Sequence, residues 1–348
     1  MKREQFQQIF RSSFDDSDER CRWFFDKVAN DPSQIYIAPD SHGRAASALL
    51  MQPYDFLYEG HLLPSAYISC VATLPEARSK GLASTLLKDS LRAARANGTV
   101  LCELIPAEDH LYFFYDRLGF ATVFYADRER YSSAHTFKDA SGALTDPSYE
   151  IFHGLEMRRG CGVLHTRTDY DNILADMALD GGNTLLAATD GNGAYAMLFA
   201  TDNGNEKSVR CLMSDNEGLA STVLAELRRR AGARPFTVLR PPMSGSHAFL
   251  KARGMLRITD PLPLLSVLGE VHPGLRLSIR LTDSELPENN GVYSIADGSC
   301  RRSPYVEKGH FDLAIDTPVL ASILFSSHDM GRIFGIPARR PYMALMLD

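Results

Sequence analysis

Residues 67–96 hold the spacing with the most chemical content. Residues 67–73, rich in Ile, Val and Thr, read as a strand that Pro75 ends. Arg78 to Gly81 form a turn. Leu82–Ala96 follows as a helix, with Leu82, Leu86, Leu87 and Leu91 on one side and Asn97-Gly98 as its stop. A strand that turns directly into a helix presents the helix's unpaired first amides, and the dipole at that end favours an anion. Gly81 and the small Ala83 and Ser84 let a ligand approach the main chain. Arg78 and Lys80 add positive charge beside it. By itself this spacing fits the phosphate of any nucleotide.

An internal repeat indicates which part of the chain keeps that chemistry. Gly-Leu-Ala-Ser-Thr occupies 81–85 and returns at 218–222, and residues 114–120 line up with 249–255 at nearly the same spacing. The reading is a duplicated domain. Arg78 of the first copy corresponds to Asp215 of the second, and Tyr115 corresponds to Leu250, so the first copy holds the reactive set.

The elements that must position this set follow from periodicity. Phe6, Ile9 and Phe10 lie at helical spacing over 4–12, and Asp15 to Glu19 open a second helix that ends near Val28, with Trp23, Phe24 and Phe25 expected in the core. Short strands are predicted at 35–37, 46–51 and 100–104, a helix at 110–118, and a strand at 119–125 behind its Gly stop. Alternating strands and helices after a meandering start indicate a mixed α/β sheet. The polar stretch 132–149 reads as a connecting segment, Arg228-Arg229-Arg230 as a solvated helix end, and Pro261 with Pro263 as the next boundary. Beyond it, alternation at 275–282, 292–295 and 311–315, an Asn290-Gly291 turn, and a helix over 319–325 after Thr317-Pro318 predict an α+β unit.

Composition bounds the function class. The chain has 348 residues, 37 basic and 43 acidic, for a formal charge of −6, with 45% apolar residues and one Trp. That suits a soluble globular enzyme with several cores, and excludes disordered, collagenous and disulfide-stapled classes. No stretch approaches the ~20 apolar residues that span a bilayer. MKREQFQQIFRSS has no apolar signal region. The six dispersed cysteines read as reduced thiols, so the expected compartment is the cytoplasm. A net acidic chain disfavours nucleic acid and favours a cationic small molecule. His42, His61, His153 and His165 form no ligand spacing, so no metal is expected.

The segment Val71-Ala72-Thr73-Leu74-Pro75-Glu76-Ala77-Arg78-Ser79-Lys80-Gly81-Leu82-Ala83 resembles the acetyl-CoA loop of the GNAT superfamily of N-acetyltransferases, Gln/Arg-x-x-Gly-x-Gly/Ala after a strand. Tyr115-Asp116-Arg117-Leu118-Gly119-Phe120 is similar to that family's second signature, a Tyr followed four residues on by Gly and an aromatic. Over the whole length the chain resembles the Eis (enhanced intracellular survival) family. That resemblance implies a catalytic GNAT domain at 1–132, a degenerate GNAT-like copy at 133–262, and a sterol-carrier-protein-like α+β domain at 263–348. Leu281-Thr282-Asp283, Glu288-Asn289-Asn290-Gly291 and Leu313-Ala314-Ile315-Asp316 carry the third match. The family also implies a homo-oligomer, with a hexamer among the candidate states, and a C-terminus that folds back into the first domain's active site. This chain departs from the family in ending on Asp348 rather than an aromatic residue.

The implied activity is acetyl-CoA-dependent N-acetylation of a primary amine (aminoglycoside, polyamine or lysine-like) by direct transfer through a tetrahedral intermediate. The cofactor contacts it implies are Val71, Ala72, Thr73, Arg78, Ser79, Lys80, Gly81, Leu82, Ala83, Ser84, His110 and Leu111. Tyr115 sits where the family keeps the acid that protonates the coenzyme A thiolate, pKa ~8.5 by analogy with a cysteine thiol. An alkylamine of pKa ~10.4 must lose a proton first. The resemblance gives that task to the α-carboxylate of Asp348; its side chain, or binding that selects the neutral amine, are alternatives. The rival class is a lipid- or small-molecule-binding protein that works through the third domain.

Overall fold

Phe6, Ile9 and Phe10 share one face of helix α1 (Lys2–Arg11), and all three are buried. The structure is a computed structural model that describes residues 2–179, 182–202, 204–232, 234–242, 250–325, 331–336 and 339–347. Chain contacts divide it into two units. Residues 2–124 with Arg253–Pro341 form the first, and Tyr125–Ala252 with Tyr342–Leu347 the second.

In the first unit, α2 (Asp18–Lys27) starts where the Ser17 hydroxyl accepts the Arg20 amide. It buries Phe24 and Phe25 against Phe10 and Phe6, while Trp23 is half-buried rather than core. The sheet runs β1 (Ile35–Pro39), β2 (Ala45–Tyr58), β3 (His61–Thr73), β4 (Leu101–Leu104). The first two pairings are antiparallel and β3–β4 is parallel. β2 and β3 extend well beyond 46–51 and 67–73, because Glu59 and Gly60, both at positive φ, close them into one long hairpin. Helix α3 (Leu82–Ala96) crosses from β3 to β4 and buries Leu86, Leu87, Leu91 and Ala94. Then come α4 (Asp109–Asp116) and β5 (Ala121–Tyr131).

The second unit contains β6 (Ala143–Thr145), α5 (Tyr149–Arg159), β7 (Cys161–Leu164), α6 (Arg167–Leu179), β8 (Asn183–Thr189), β9 (Tyr195–Asp202), β10 (Lys207–Ser214), α7 (Glu217–Ala231) and β11 (Phe236–Arg240). β8, β9 and β10 are antiparallel, and α7 crosses from β10 to a parallel β11. This repeats the β1–β2–β3–α3–β4 order, so the two Gly-Leu-Ala-Ser-Thr segments open equivalent helices. The second match does not hold: residues 250–255 lie in β12 (Leu250–Ile258), a strand, whereas 114–116 are in α4. Phe249 lies outside the described residues. Within the first unit β12 pairs with β4 through 255–258, and within the second β5 pairs with β11 through 127–131. Within 132–148, β6 joins β8, and the Ser141 carbonyl accepts the Thr222 hydroxyl. Arg228 departs from the solvated reading: it stacks on Phe236 and donates to the Ser132 and Arg234 carbonyls. Arg229 and Arg230 are exposed and pair with Glu226.

Pro261 and Pro263 lie in the first turn of a helix. In α8 (Pro261–Val271), Pro261 takes the first position, where its missing N–H costs nothing, and Asp260 caps the Leu262 amide. Strands β13 (Leu277–Thr282), β14 (Gly291–Ala296), β15 (Ser299–Ser303) and β16 (Leu313–Asp316) form a second sheet in the order β15-β14-β13-β16, followed by α9 (Thr317–Phe325). β15, Ser-Cys-Arg-Arg-Ser, carries no periodic signal; the Asp297-Gly298 turn brings it to β14. A buried polar cluster joins this part to β12. Arg257, 0% exposed, donates to Asp283 Oδ1 (2.6 Å), the Thr317 hydroxyl (2.8 Å) and the Ile258 carbonyl (2.8 Å).

Candidate active site

Strand β3 breaks its ladder at the point where it approaches α4. Ala48 pairs with Ala72 and Leu50 with Ser69, so Cys70 and Val71 together face Leu49, and Cys70 takes φ +52°. Such a bulge withdraws backbone groups from strand pairing and re-aims side chains. Here it opens onto a cavity of about 370 Å³ lined by Phe10, Phe14, Asp15 and Asp16 from the α1–α2 segment, by residues 67–71, and by Ile105, Ala107, Leu111 and Tyr115.

Downstream of the bulge, a 3₁₀ turn at Pro75–Ala77 leads into a loop in which Ser79 (φ +60°) and Gly81 (φ +78°) both adopt the left-handed conformation. Successive amides in such a loop point to one side and form an anion-binding concavity. Arg78 Nε donates to the Thr73 carbonyl (3.1 Å) and Lys80 Nζ to the Glu76 carbonyl (2.8 Å), which keeps both cations on the loop. No side chain caps the first turn of α3, and a Cβ placed on Gly81 would meet nothing within 4 Å. Leu82, Ala83 and Ser84, half-buried, supply the first helical amides. The residues present therefore suit the pyrophosphate of a coenzyme A thioester.

The equivalent position in the second copy is filled. Asn216 Oδ1 accepts the Leu219 amide (2.9 Å) at the start of α7, flanked by Asp215 and Glu217. An asparagine occupies the first-turn amides there, and two carboxylates repel a phosphate.

Tyr115 lines the cavity and is 6% exposed; burial pushes its phenol up to about 12. At ~1.4 kcal/mol per pH unit, that adds roughly 3 kcal/mol to the cost of releasing the proton relative to a free tyrosine. Gly119, three residues beyond α4, needs its type twice over: φ is +84°, and a Cβ would lie 2.9 Å from Arg257 Nε. Val71 lines the cavity, Ala72 is buried, and the Thr73 hydroxyl meets the Ser47 hydroxyl at 2.9 Å. Leu111 lines the cavity, but His110 does not: it is exposed beside Glu108 (3.3 Å). Asp348 lies outside the described residues. The preceding Tyr342–Leu347 are buried in the second unit, where Tyr342 exchanges backbone hydrogen bonds with Cys161 and Val163 and its ring carries Arg159.

The family model for the acetyltransferase (GNAT) domain matches residues 2–123. Those residues are a GNAT acetyltransferase domain. No curated relative matches the chain. Among solved structures, a probable N-acyltransferase from Enterococcus faecalis is similar with a TM-score of 0.75 at 16% identity, over 96% of this chain and 90% of that one. A GCN5-related N-acetyltransferase from Anabaena variabilis gives 0.73 at 17%, over 96% and 91%. Eis1 from Mycobacterium abscessus gives 0.70 at 15%, over 99% and 95%. At these identities the likeness is one of fold, and it extends over nearly the whole chain. The match of residues 2–123 makes acyl transfer the chemistry of the domain and favours it over lipid binding alone.

Sequence reasoning missed the bulge residue Cys70, Tyr67 and Ser69 beside it, and the Asp15–Asp16 pair. Asp15 and Asp16 read as helix-opening acids, and nothing in a run of strand residues marks where a ladder will slip.

Proposed function

We propose that the chain transfers the acetyl group of acetyl-CoA to a cationic primary amine. The observation that carries this reading is the contrast between the copies: the amides at the start of α3 are uncapped beside the Tyr115 cavity, and those at α7 are capped. The bound thioester would supply the electrophilic carbonyl and a thiol leaving group. The amides of 79–84 hold the pyrophosphate, and the bulged backbone at Cys70 and Val71 orients the thioester end. Asp15 and Asp16 are the acidic side chains of the cavity lining, and Phe10, Phe14 and Tyr67 give it aromatic walls, a combination that suits an ammonium group. Tyr115, kept protonated by burial, gives its proton to the departing sulfur. Asp348 as base, the three-part division at 1–132, 133–262 and 263–348, the sterol-carrier likeness of the last part, a cytoplasmic location and a homo-oligomeric state belong to the same reading.

The test is thiol release from acetyl-CoA across a panel of aminoglycosides, polyamines and lysine peptides. Tyr115→Phe should lower turnover by ~10²–10⁴-fold, the range for a general acid, with acetyl-CoA affinity unchanged. Unaltered turnover in that variant would remove Tyr115 from the acid role.

A further inference from the structure

A second cavity of about 370 Å³ lies in the second unit, where the end of β10, the first turn of α7 and the residues after β11 meet Arg159, the last residue of α5. Arg159 is half-buried, and its Nε is enclosed without a hydrogen-bond partner. Among the described residues its guanidinium makes no hydrogen bond and no ion pair. The Tyr342 ring, 5.0 Å away, is a weak counterpart for a full charge. Burial lowers the Arg159 pKa, as it does for a cation whose surroundings do not compensate it. A guanidinium kept partly out of water without a counter-ion costs stability, and a fold that retains one calls for a reason.

The other charges around the cavity are already matched. Asp215 accepts from Arg158 Nε and from the Tyr195 amide, both at 2.8 Å. Arg240 spans Glu217 (3.1 Å) and Glu129 (2.6 Å). Glu156, one turn before Arg159 on α5, is committed to the His165 ring (2.7 Å) and amide (3.2 Å). Arg158, Arg159 and Arg240 thus balance Asp215, Glu217 and Glu129 in number, but Arg240 takes two carboxylates and Arg159 none. The amides at the start of α7 are closed by Asn216 and offer an anion nothing. Leu212, Ala220, Pro241 and Pro242 give the cavity an apolar wall.

We propose that this cavity binds a small apolar amino acid, with the ligand carboxylate on Arg159 and its ammonium beside Asp215 and Glu217. The planar guanidinium offers a carboxylate two parallel N–H donors, and the pairing supplies the counter-ion that the fold withholds. Asp215 and Glu217 keep lone pairs beyond those their arginines use, so an ammonium can add a charge-assisted contact. The charges around the cavity cancel before binding. A zwitterion leaves them cancelled, whereas a bare anion leaves one negative charge over. The apolar wall takes the ligand's side chain. The site shares no lining residue with the Tyr115 cavity and stands independently of the acetyl-transfer reading.

The experiment titrates the full chain with L-valine, L-leucine, L-phenylalanine, 4-methylpentanoate (leucine without its ammonium) and inorganic phosphate, by calorimetry and by melting temperature. The proteins compared are the unaltered chain, Arg159→Met, Arg159→Lys and Asp215→Asn. At least one of the amino acids should bind and raise the melting temperature. 4-Methylpentanoate should bind ~10-fold or more weakly than leucine, and phosphate should not bind. Arg159→Met keeps an apolar stem against Tyr342 and should weaken amino-acid binding by ~10–100-fold. Arg159→Lys should lose part of that, and Asp215→Asn should weaken leucine without weakening 4-methylpentanoate. No heat and no melting shift with any amino acid overturns the proposal, as does 4-methylpentanoate or phosphate binding as tightly as leucine. Amino-acid affinity unaltered in Arg159→Met also overturns it, because a ligand held in the Tyr115 cavity would be indifferent to Arg159. If Arg159→Met does not fold, unaltered affinity in Arg159→Lys overturns it in the same way.

Discussion

Replacing Asp283 by Asn should destabilise the first unit by several kcal/mol, although the side chain keeps its shape. Asp283 Oδ1 accepts from Arg257 Nη2 (2.6 Å) and the amides of Glu285 (3.1 Å) and Leu286 (3.0 Å). Oδ2 accepts from Asn289 Nδ2 (2.9 Å) and the Thr317 hydroxyl (3.2 Å). An asparagine loses the charge and turns one acceptor into a donor among donors. Arg257 has no route to water. Removing one partner of a buried pair costs about 3–5 kcal/mol. Arg257 keeps its bonds to the Thr317 hydroxyl and the Ile258 carbonyl, so the lower half of that range, ~3–4 kcal/mol, applies. Trp23 is the chain's one tryptophan and lies in this unit, so its emission in urea follows the unfolding. With a slope of ~3 kcal/mol per M, the midpoint should fall by roughly 1 M. The double variant Arg257→Met with Asp283→Leu should recover most of the loss, because an apolar pair leaves no buried charge uncompensated. A fall of less than about 0.3 M in Asp283→Asn, or a double variant as unstable as the sum of the singles, would refute the reasoning.

Tyr115 sets an alkaline limit on stability. Its folded pKa of about 12 lies above that of an unfolded tyrosine, ~10, so its contribution is complete below ~10 and is lost as pH rises toward 12. Tyr115→Phe should flatten that part of a melting-temperature profile taken in the same window. In the second unit, Gly162 has φ +145°, and a Cβ there would fall inside van der Waals contact with the Tyr342 carbonyl. Gly162→Ala should therefore push the tail off β7, and carboxypeptidase should remove 342–347 from the variant while the unaltered chain resists.

The bounds of α3, the turn before it and the uncapped Gly81 depend on a few adjacent residues, and they were legible in order. So was the duplication, through the pentapeptide that opens α3 and α7. The similar residues at 114–116 and 250–255 take different structure, helix in one and strand in the other, because the strand partners across the sheet decide it.

The sequence by itself determined the turn before α3 and the difference between the two copies at the start of α3 and α7, because both depend on turn chemistry and capping within one short segment. Only the tertiary structure decided that the β3 ladder slips at Cys70, that β12 pairs with β4 and β5 with β11, and that Asp15 and Asp16 reach the cavity. Each of these depends on which residues stand opposite one another across strands distant in the chain. Pairing of that kind is selected by the packing of the whole unit, and no single segment encodes it.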